Sequence, residues 1–273
     1  MFPIVDERGR TVGFGGRLVP GGLGNDQRGD YKPPKYLNSP ESPFFSKRRV
    51  LYGLRAAKQA GERRLIVMEG YTDVVASRQA GIETSVAVLG TALGEQHVKI
   101  LRRFAERVVL VLDGDAAGQN RADEVLELFI SADVDLRVMT LPDGSDPADF
   151  VAAHGREAFE ESARDAPDAL DHKLSRLTQG VDLNRDTHAV ASAVDKMLKI
   201  VAKAPDGLRV DQLLNRMSKR FEFKVERLEQ RLEVLRKGTK RSTVRPARGT
   251  IDHPSNRHAS VRPAATTDPN AAL

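Results

Sequence analysis

Acidic side chains follow several short apolar segments in the middle of the chain. They come after the first, third and fourth of these segments, in the order Glu69, Asp113 and Asp115, Asp143 and Asp146. Two carboxylates about 4 Å apart repel each other by roughly 4 kcal/mol at an effective dielectric constant of 20. Several of them in one place therefore need protons or a cation, and an all-oxygen donor set favours Mg²⁺ or Mn²⁺. Because Mg²⁺ usually binds through a few carboxylates and substrate phosphates, these residues predict phosphoryl-transfer chemistry.

The apolar segments predict the strands of a parallel sheet. They lack alternation between polar and apolar residues, which is typical of strands buried on both faces, and they cover 65–68, 85–89, 108–112 and 136–141. The residues between them have helical spacing, over about 73–80, 95–106 and 117–132. Strand–helix–strand repeats form right-handed crossovers, and ligands bind at the carboxyl ends of the strands. We therefore predict an α/β fold with all five acidic residues along one edge of the sheet.

The flanking regions are organised differently. Residues 2–18 predict two strands joined by a turn, residues 20–34 a Gly- and Pro-rich loop, and residues 48–60 a helix. After residue 150 the predicted strands stop, and helical spacing recurs over 155–178, 187–203 and 209–236. We predict four units: a partial basic N-terminal subdomain (1–60), a sheet domain (61–150), a helical subdomain (151–237) and a disordered basic tail (238–273).

Composition narrows the class of protein. The 273 residues carry a net charge of +5 and no cysteine, which excludes disulfides and thiolate zinc sites. No apolar run reaches the roughly 18–20 residues that cross a bilayer, and the first residues do not resemble a secretion signal, so we expect a cytoplasmic protein without a membrane partner. Positive charge predominates in residues 1–60 and negative charge in residues 61–150. This pattern suits a metal site beside a polyanion, although solvated faces carry similar charge blocks.

Each acidic position also has an interpretation that needs no ligand. The Asp-Gly pairs at 113–114 and 143–144 are typical of turns, and Asp73 suits the first turn of a helix because of the helix dipole. The spacing from residue 113 to Glu124 resembles a calcium loop, but Ala117 stands at a ligand position and a strand precedes the motif where a helix should. It is the predicted position at a common sheet edge that favours a metal site.

Several motifs resemble a known family. The sequences EGYTD at 69–73, DGDAAG at 113–118 and SDP at 145–147 resemble the Toprim signature of bacterial primases, topoisomerases and small nucleases. MFPI at 1–4, GFGGR at 13–17, PKYLNSPE at 34–41 and the segment from Lys47 to LYGL at 51–54 resemble DnaG-type primases in particular. The resemblance runs from residue 1 to about residue 165. It implies a Toprim core with a parallel sheet flanked by helices, preceded by part of a small mixed α+β subdomain and followed by a helical subdomain.

The resemblance also implies roles for individual residues. The metal ligands would be Glu69, Asp73, Asp113, Asp115 and Asp146, with Glu69, Asp113 and Asp115 as the catalytic set. The last family motif usually reads Asp-Pro-Asp, whereas this chain has an alanine in the third place, so that position is absent or shifted to Asp149. The nucleotide phosphates and the template–primer groove would be contacted by Arg17, Lys35, Tyr36 and Lys47. A solvated basic face is the alternative interpretation of these last residues.

The implied activity is that of a DNA primase, which makes short RNA primers on single-stranded DNA from ribonucleoside triphosphates with Mg²⁺ or Mn²⁺. Proteins of this family begin with a Cys/His zinc-binding domain, and this chain starts within the motifs that follow it. We therefore expect an N-terminally truncated primase without a zinc site, whose full-length relatives bind the replicative helicase. A Toprim nuclease or topoisomerase-like enzyme and a non-catalytic nucleic-acid-binding remnant are the alternatives. A topoisomerase needs a separate tyrosine-bearing domain, and all four tyrosines here precede or enter the Toprim-like part.

Overall fold

The N-terminal part of the chain forms a small antiparallel sheet. The computed structural model describes residues 1–18, 34, 36–112, 116–183 and 185–242. Within them, the first three strands lie in the order β1-β2-β3 and are β1 (Phe2–Val5), β2 (Thr11–Arg17) and β3 (Tyr36–Asn38). The turn between β1 and β2 is held by Asp6, whose Oδ1 accepts hydrogen bonds from the backbone N–H groups of Arg8 and Arg10, each at 2.9 Å. The predicted hairpin is confirmed, and nearly all of the predicted loop over 20–34 lies outside the described residues.

The second sheet is parallel and has the strand order β5-β4-β6-β7. Its strands are β4 (Arg64–Met68), β5 (Ser85–Ala87), β6 (Arg107–Leu112) and β7 (Asp135–Thr140). The connecting helices are α2 (Tyr71–Gln79), α3 (Glu95–Phe104) and α4 (Ala116–Ala132). The predicted α/β fold is thus confirmed, and the parallel arrangement places the carboxyl ends of all four strands at one edge.

Burial on both faces keeps this sheet at the centre of the molecule. Alternate residues of β4 pack into different core clusters, because successive side chains of a strand point to opposite faces. Leu65 and Val67 pack with α3 and α4, whereas Ile66 and Met68 pack with α2 and with α5 (Pro147–Asp165). The unbroken apolar runs in the sequence follow from this two-sided burial.

The N-terminal part is joined to β5, an outer strand of the parallel sheet. Tyr52 forms an antiparallel bridge with Ala87 of β5, in which each backbone N–H donates to the other residue's carbonyl at 2.8 and 3.1 Å. Arg78 of α2 donates to the carbonyls of Gly53 at 2.6 Å and Ser85 at 2.9 Å, and burial lowers the pKa of its guanidinium.

The prediction of one helix over 48–60 is wrong in its start. Helix α1 (Leu54–Gln59) begins later because Tyr52 pairs with β5 and Gly53 has a left-handed φ of 81°.

Helices make up the rest of the described chain. After α5 come α6 (Ala169–Leu177), α7 (Thr187–Val201), α8 (Leu208–Phe221) and α9 (Val225–Ser242). The predicted helical segment 209–236 is two helices, because Glu222 has a left-handed φ of 56° and ends α8. Leu228 and Leu232 of α9 are buried in the core cluster that also contains α7 and α8, so the apolar stripe of this helix is an internal packing surface. Helix α9 continues past Gly238, where the sequence predicts a disordered tail, and residues 243–273 lie outside the described part.

Replacement of Phe159 tests the packing of α5 on the sheet. This side chain is completely buried, and its ring lies edge-on to Phe150 with 6.1 Å between the centroids. We expect Phe159→Ala to lower the free energy of unfolding by about 3–5 kcal/mol, because it removes apolar contacts and leaves a cavity. Urea denaturation followed by circular dichroism measures this loss. The matched control is Phe44→Ala, since Phe44 is exposed, and an equal loss in both variants would contradict the described packing.

Candidate active site

Glu69 lies at the carboxyl edge of the parallel sheet, directly after β4. The next residue, Gly70, is the N-cap of α2, and Asp73 lies in the first turn of that helix. A Cβ atom at position 70 would lie 2.8 Å from Oδ2 of Asp73, so the glycine leaves the space that the Asp73 carboxylate occupies beside the turn. The structure therefore brings two of the predicted metal ligands into one short turn, which we call the Glu69 turn (69–73).

A cavity of about 300 Å³ adjoins the Glu69 turn. Its walls come from the ends of β4 and β6, from residues 90–93 between β5 and α3, and from α4, where Glu124 contributes a second carboxylate. Most of the other lining side chains are apolar, and a few polar groups in an apolar cavity are typical of a binding site. Glu124 was considered in the sequence only as part of a calcium loop. Its place beside Glu69 depends on how α4 packs, which residue spacing does not reveal.

Two of the predicted catalytic carboxylates lie outside the described residues. These are Asp113 and Asp115, and the side chain of Asp143 is likewise not described. They follow β6 and β7, and β6 lies immediately beside β4 in the sheet. Among the described residues, no three His, Asp or Glu side chains lie close enough together to hold one metal ion. The predicted metal site therefore stays a prediction that depends on Asp113 and Asp115.

Asp146 caps a helix in the described part of the chain. It is the N-cap of α5, and its Oδ1 accepts a hydrogen bond from the backbone N–H of Asp149 at 2.8 Å. Such caps satisfy a backbone donor that the helix itself leaves unpaired. Asp149 lies in the first turn of α5 and is exposed. Asp146 follows β7, which is separated from β4 by β6, so the structure places it farther along the edge than the Glu69 turn.

Tyr36 contacts the Glu69 turn, and Arg17 lies against the Tyr36 ring. The Tyr36 hydroxyl is 3.3 Å from Oγ1 of Thr72, and the Arg17 guanidinium carbon is 5.6 Å from the centre of the Tyr36 ring. The Tyr36 ring also meets Tyr71 edge to face, with 5.7 Å between the centroids. Strand β3 thus places Tyr36 against the first turn of α2, and strand β2 places Arg17 against the Tyr36 ring.

Tyr71 fixes the position of β2 relative to α2. Its hydroxyl donates to the carbonyl of Gly16 at 2.8 Å, and a Cβ atom at Gly15 would lie only 3.0 Å from its ring. Burial, with smaller contributions from Tyr36 and Tyr52, raises the pKa of Tyr71, so the hydroxyl stays protonated and remains a donor. The sequence marked Tyr71 only as part of a motif, and its role in holding β2 depends on a contact across 55 residues of sequence.

Asn38 supports the cavity from the other side. Its Nδ2 donates to the carbonyl of Leu89 at 3.1 Å, next to the loop that lines the cavity. Its Oδ1 is buried and has no hydrogen-bond partner within the described part of the chain. No sequence pattern distinguishes this role of Asn38, because an asparagine in a short strand looks the same whether or not it holds a neighbouring loop.

Lys47 is held through its backbone, and Lys35 lies outside the described residues. The Lys47 N–H donates to Oε1 of Glu41 at 2.9 Å, which holds the pKa of that carboxyl below its usual range. The Lys47 carbonyl accepts from Nε2 of His97 in α3 at 2.8 Å. The described contacts hold the backbone of Lys47 in place, and none of them joins its side-chain ammonium group to the Glu69 turn.

Comparison with known proteins finds primases over most of the chain. Residues 1–58 match the family described as DNA primase catalytic core, N-terminal domain, and residues 66–151 match a family described as Toprim-like. The DNA primase of Escherichia coli K12 is 41% identical over 238 residues, which cover 84% of this chain and 39% of that protein. The chain thus spans 35–39% of the length of four curated primases that it matches.

Solved structures of primase domains are also similar. A DNA primase domain from Pseudomonas aeruginosa has 34% identity and a TM-score of 0.74, and the match covers 85% of this chain and 71% of that one. A DnaG primase catalytic domain bound to single-stranded DNA has 39% identity and a TM-score of 0.69, and the match covers 80% and 68%. None of the described helices is both long and apolar enough to cross a membrane.

His97 makes the stability of the folded protein depend on pH. Its buried ring accepts from the Gly94 N–H at Nδ1, at 3.2 Å, so the proton of the neutral ring is on Nε2, which donates to Lys47. Burial lowers the pKa of His97, and the folded protein therefore resists protonation. The unfolded chain takes up a proton first, so this stability is complete above about pH 6.5 and declines as the pH falls below it.

We expect His97→Gln to reduce this acid-induced loss, because glutamine keeps an N–H donor but does not titrate. If the pKa of His97 in the folded protein lies one pH unit below its value in the unfolded chain, the stability lost at low pH is about 1.4 kcal/mol. The measurement is urea denaturation at several values between pH 5 and 8. His188→Gln, at an exposed position in the first turn of α7, is the control. Identical pH profiles for wild type and His97→Gln would contradict the described environment of His97.

Proposed function

Because the chain belongs to the family of DnaG-type DNA primase catalytic cores, we propose that it is the catalytic part of a DNA primase. It would join ribonucleoside triphosphates into short RNA primers on a single-stranded DNA template during replication. The observation that carries this proposal is the contact between the Glu69 turn and the strands that hold Arg17 and Tyr36. Carboxylates that can hold metal ions, beside a cation and an aromatic ring, suit nucleotidyl transfer on a nucleic acid.

The proposed reaction is an in-line transfer. The 3′-hydroxyl of the primer attacks the α-phosphorus of the incoming nucleoside triphosphate, and a new P–O bond forms. The bond between the α-phosphorus and the oxygen bridging to the β-phosphate breaks, pyrophosphate leaves, and the hydroxyl proton passes to solvent. Such a reaction depends mainly on positioning and on stabilising negative charge.

We propose that Glu69, Asp113 and Asp115 hold the divalent cations, with Asp73 and Asp146 in supporting positions. Toprim primases are metal-dependent, and Mg²⁺ or Mn²⁺ suits the chemistry of the donors, because the groups at the Glu69 turn are carboxylates. When bound, such cations neutralise phosphate charge and stabilise the attacking and leaving oxygens. Gly70 has no side chain and therefore leaves room in the Glu69 turn for the Asp73 carboxylate.

The basic and aromatic residues would bind the substrates. Tyr36 lies beside Thr72 and Arg17 lies against the Tyr36 ring, and there both would contact a nucleotide whose phosphates face the Glu69 turn. We propose the same role for Lys35 and Lys47, in line with the family motifs that contain them. Phosphate contacts of this kind release counterions, so binding should weaken steeply with salt.

The wider context of the reaction is also a proposal. We assign the N-terminal basic subdomain to residues 1–60, the Toprim domain to residues 61–150, the helical subdomain to residues 151–237 and the tail to residues 238–273, whose first residues continue α9 as far as Ser242. The partners would be the single-stranded template, ribonucleoside triphosphates and the RNA primer, and in full-length proteins the replicative helicase. The reaction would take place in the cytoplasm, at the replisome.

Loss of one carboxylate at the sheet edge tests the proposed function. We expect Asp113→Ala and Glu69→Gln each to lower primer synthesis by a factor on the order of 10²–10³, since each removes a group that would stabilise charge in the transition state. Gel analysis of primers made with Mg²⁺ or Mn²⁺ measures the rate. Binding of single-stranded DNA should remain nearly intact in both variants. Glu161→Gln, at an exposed position of α5, changes the charge equally and should keep full activity.

Three outcomes would contradict the proposal. Cleavage of a labelled DNA substrate without primer synthesis would indicate a Toprim nuclease. DNA binding with neither activity would indicate a non-catalytic remnant. Loss of DNA binding together with unfolding in Asp113→Ala would mean that this residue acts in folding and not in the reaction.

A further inference from the structure

A second and larger groove lies in the N-terminal part of the molecule. It has a volume of about 750 Å³ and is bordered by the turn between β1 and β2, by residues 42–51 and by α3. It shares no lining residue with the cavity beside Glu69. This volume is within the range of roughly 300–1,000 Å³ that is typical of ligand sites. We call it the Phe44 groove, after the aromatic residue on its border.

Cations predominate in the Phe44 groove. Its charged lining residues are the acidic Asp6 and Glu7 and the basic Arg8, Arg10, Arg49, Lys99 and Arg103. Both acidic residues are engaged within the groove wall. Asp6 forms an ion pair with Arg10 at 2.7 Å, and Glu7 forms one with Arg103 at 3.6 Å. A groove with an excess of one sign of charge concentrates ligands of the opposite sign.

The remaining cations have no acidic partner within the described part of the chain. These are Arg8, Arg49 and Lys99, none of which forms an ion pair there. The hydrogen bond from the Arg10 backbone lowers the pKa of Asp6, so Asp6 stays ionised near neutral pH and continues to neutralise Arg10. The groove therefore presents three uncompensated positive charges, which suit a ligand with several negative charges.

Phe44 is exposed at the border of the groove because its neighbours are held in place. Phe45 is 1% exposed and packs in the N-terminal core, whereas Phe44 is 83% exposed. The Ser42 hydroxyl accepts from the N–H groups of Phe44 at 3.3 Å and Phe45 at 3.1 Å, and Ser42 and Phe45 also exchange backbone hydrogen bonds. The loop thus presents one aromatic ring to solvent next to the cations.

We propose that the Phe44 groove binds a single strand of nucleic acid, with its phosphates near Arg8, Arg49 and Lys99 and a base stacked on Phe44. Positive grooves with aromatic side chains bind single strands because every base has a face that can stack. The bases of a duplex are already stacked on one another, and an acidic polypeptide offers charge without bases. This site goes beyond the proposed function, since it lies apart from the Glu69 turn and takes part in no bond-making step.

Removal of charge from the groove tests its role in binding phosphates. Fluorescence anisotropy measures the affinity of the full chain for a labelled oligothymidylate, at several salt concentrations and in EDTA. Each phosphate contact to a single strand contributes about −0.7 to the slope of log K against log [salt]. We expect the double variant Arg49→Ala/Lys99→Ala to bind at least about tenfold more weakly and to reduce the magnitude of the slope by about 1.4.

The control removes the same charge elsewhere. Lys199→Ala/Lys219→Ala replaces two exposed lysines of α7 and α8 and should leave the slope unchanged. Equal effects of the two double variants would overturn the proposal, because binding would then follow net charge alone.

Replacement of Phe44 tests the stacking contact. We expect Phe44→Leu to lower the affinity about fivefold or more, because the side chain keeps its apolar bulk but loses its aromatic face. Phe44→Tyr should bind like the wild type. Thermal unfolding should be the same in all three proteins, since the side chain is exposed. Equal affinities for the leucine and tyrosine variants would overturn the proposal and would fit an acidic polypeptide as the occupant.

A third variant separates this site from the proposed reaction. Glu69→Gln should lose primer synthesis and keep both the affinity for oligothymidylate and its salt slope. If the wild type makes no primers while the groove variants still lose binding, the proposed function fails and the Phe44 groove stands. If the wild type makes primers while the groove variants bind as it does, the groove assignment fails.

Discussion

Burial of the parallel sheet on both faces is the constraint on which the rest of the molecule depends. Its four strands run in the same direction, so their carboxyl ends lie at one edge, and in the sequence several acidic residues follow those ends. Such a set is stable only if protons or cations offset its charge. A sheet packed on both faces cannot easily rearrange to separate them. The same core that stabilises the fold would therefore maintain the charge that we propose a divalent metal ion to neutralise.

The N-terminal part is joined to the parallel sheet through tyrosine contacts and backbone pairing. Tyr71 donates to Gly16 and packs against Gly15, where a larger residue would meet its ring. The Tyr52–Ala87 bridge joins the same region to β5, so the two parts share backbone pairing as well as side-chain contacts. Together these contacts hold Arg17 and Tyr36 beside the Glu69 turn. The positions of Arg17 and Tyr36, which we propose to bind substrates, thus depend on Tyr71 and Tyr52.

The sequence predicted what depends on local patterns and missed what depends on distant contacts. The buried strands and their acidic ends were predictable, because two-sided burial leaves an unbroken apolar run. The start of α1 was not, since it depends on Tyr52 pairing with a strand 35 residues away. The end of α8 at Glu222 follows from a left-handed residue that no spacing rule marks. The contact of Tyr36 with Thr72 and the Phe44 groove likewise arise only when separate segments pack together.

Binding of Mn²⁺ tests most directly whether the edge of the sheet is a metal site. The electron paramagnetic resonance signal of free Mn²⁺ decreases when the ion binds, so a titration of the full chain measures both affinity and the number of ions. We expect the wild type and Glu161→Gln to bind Mn²⁺ alike and Glu69→Gln to bind it at least about tenfold more weakly. Equal Mn²⁺ binding by Glu69→Gln and the wild type, or no binding by the wild type, would contradict this expectation.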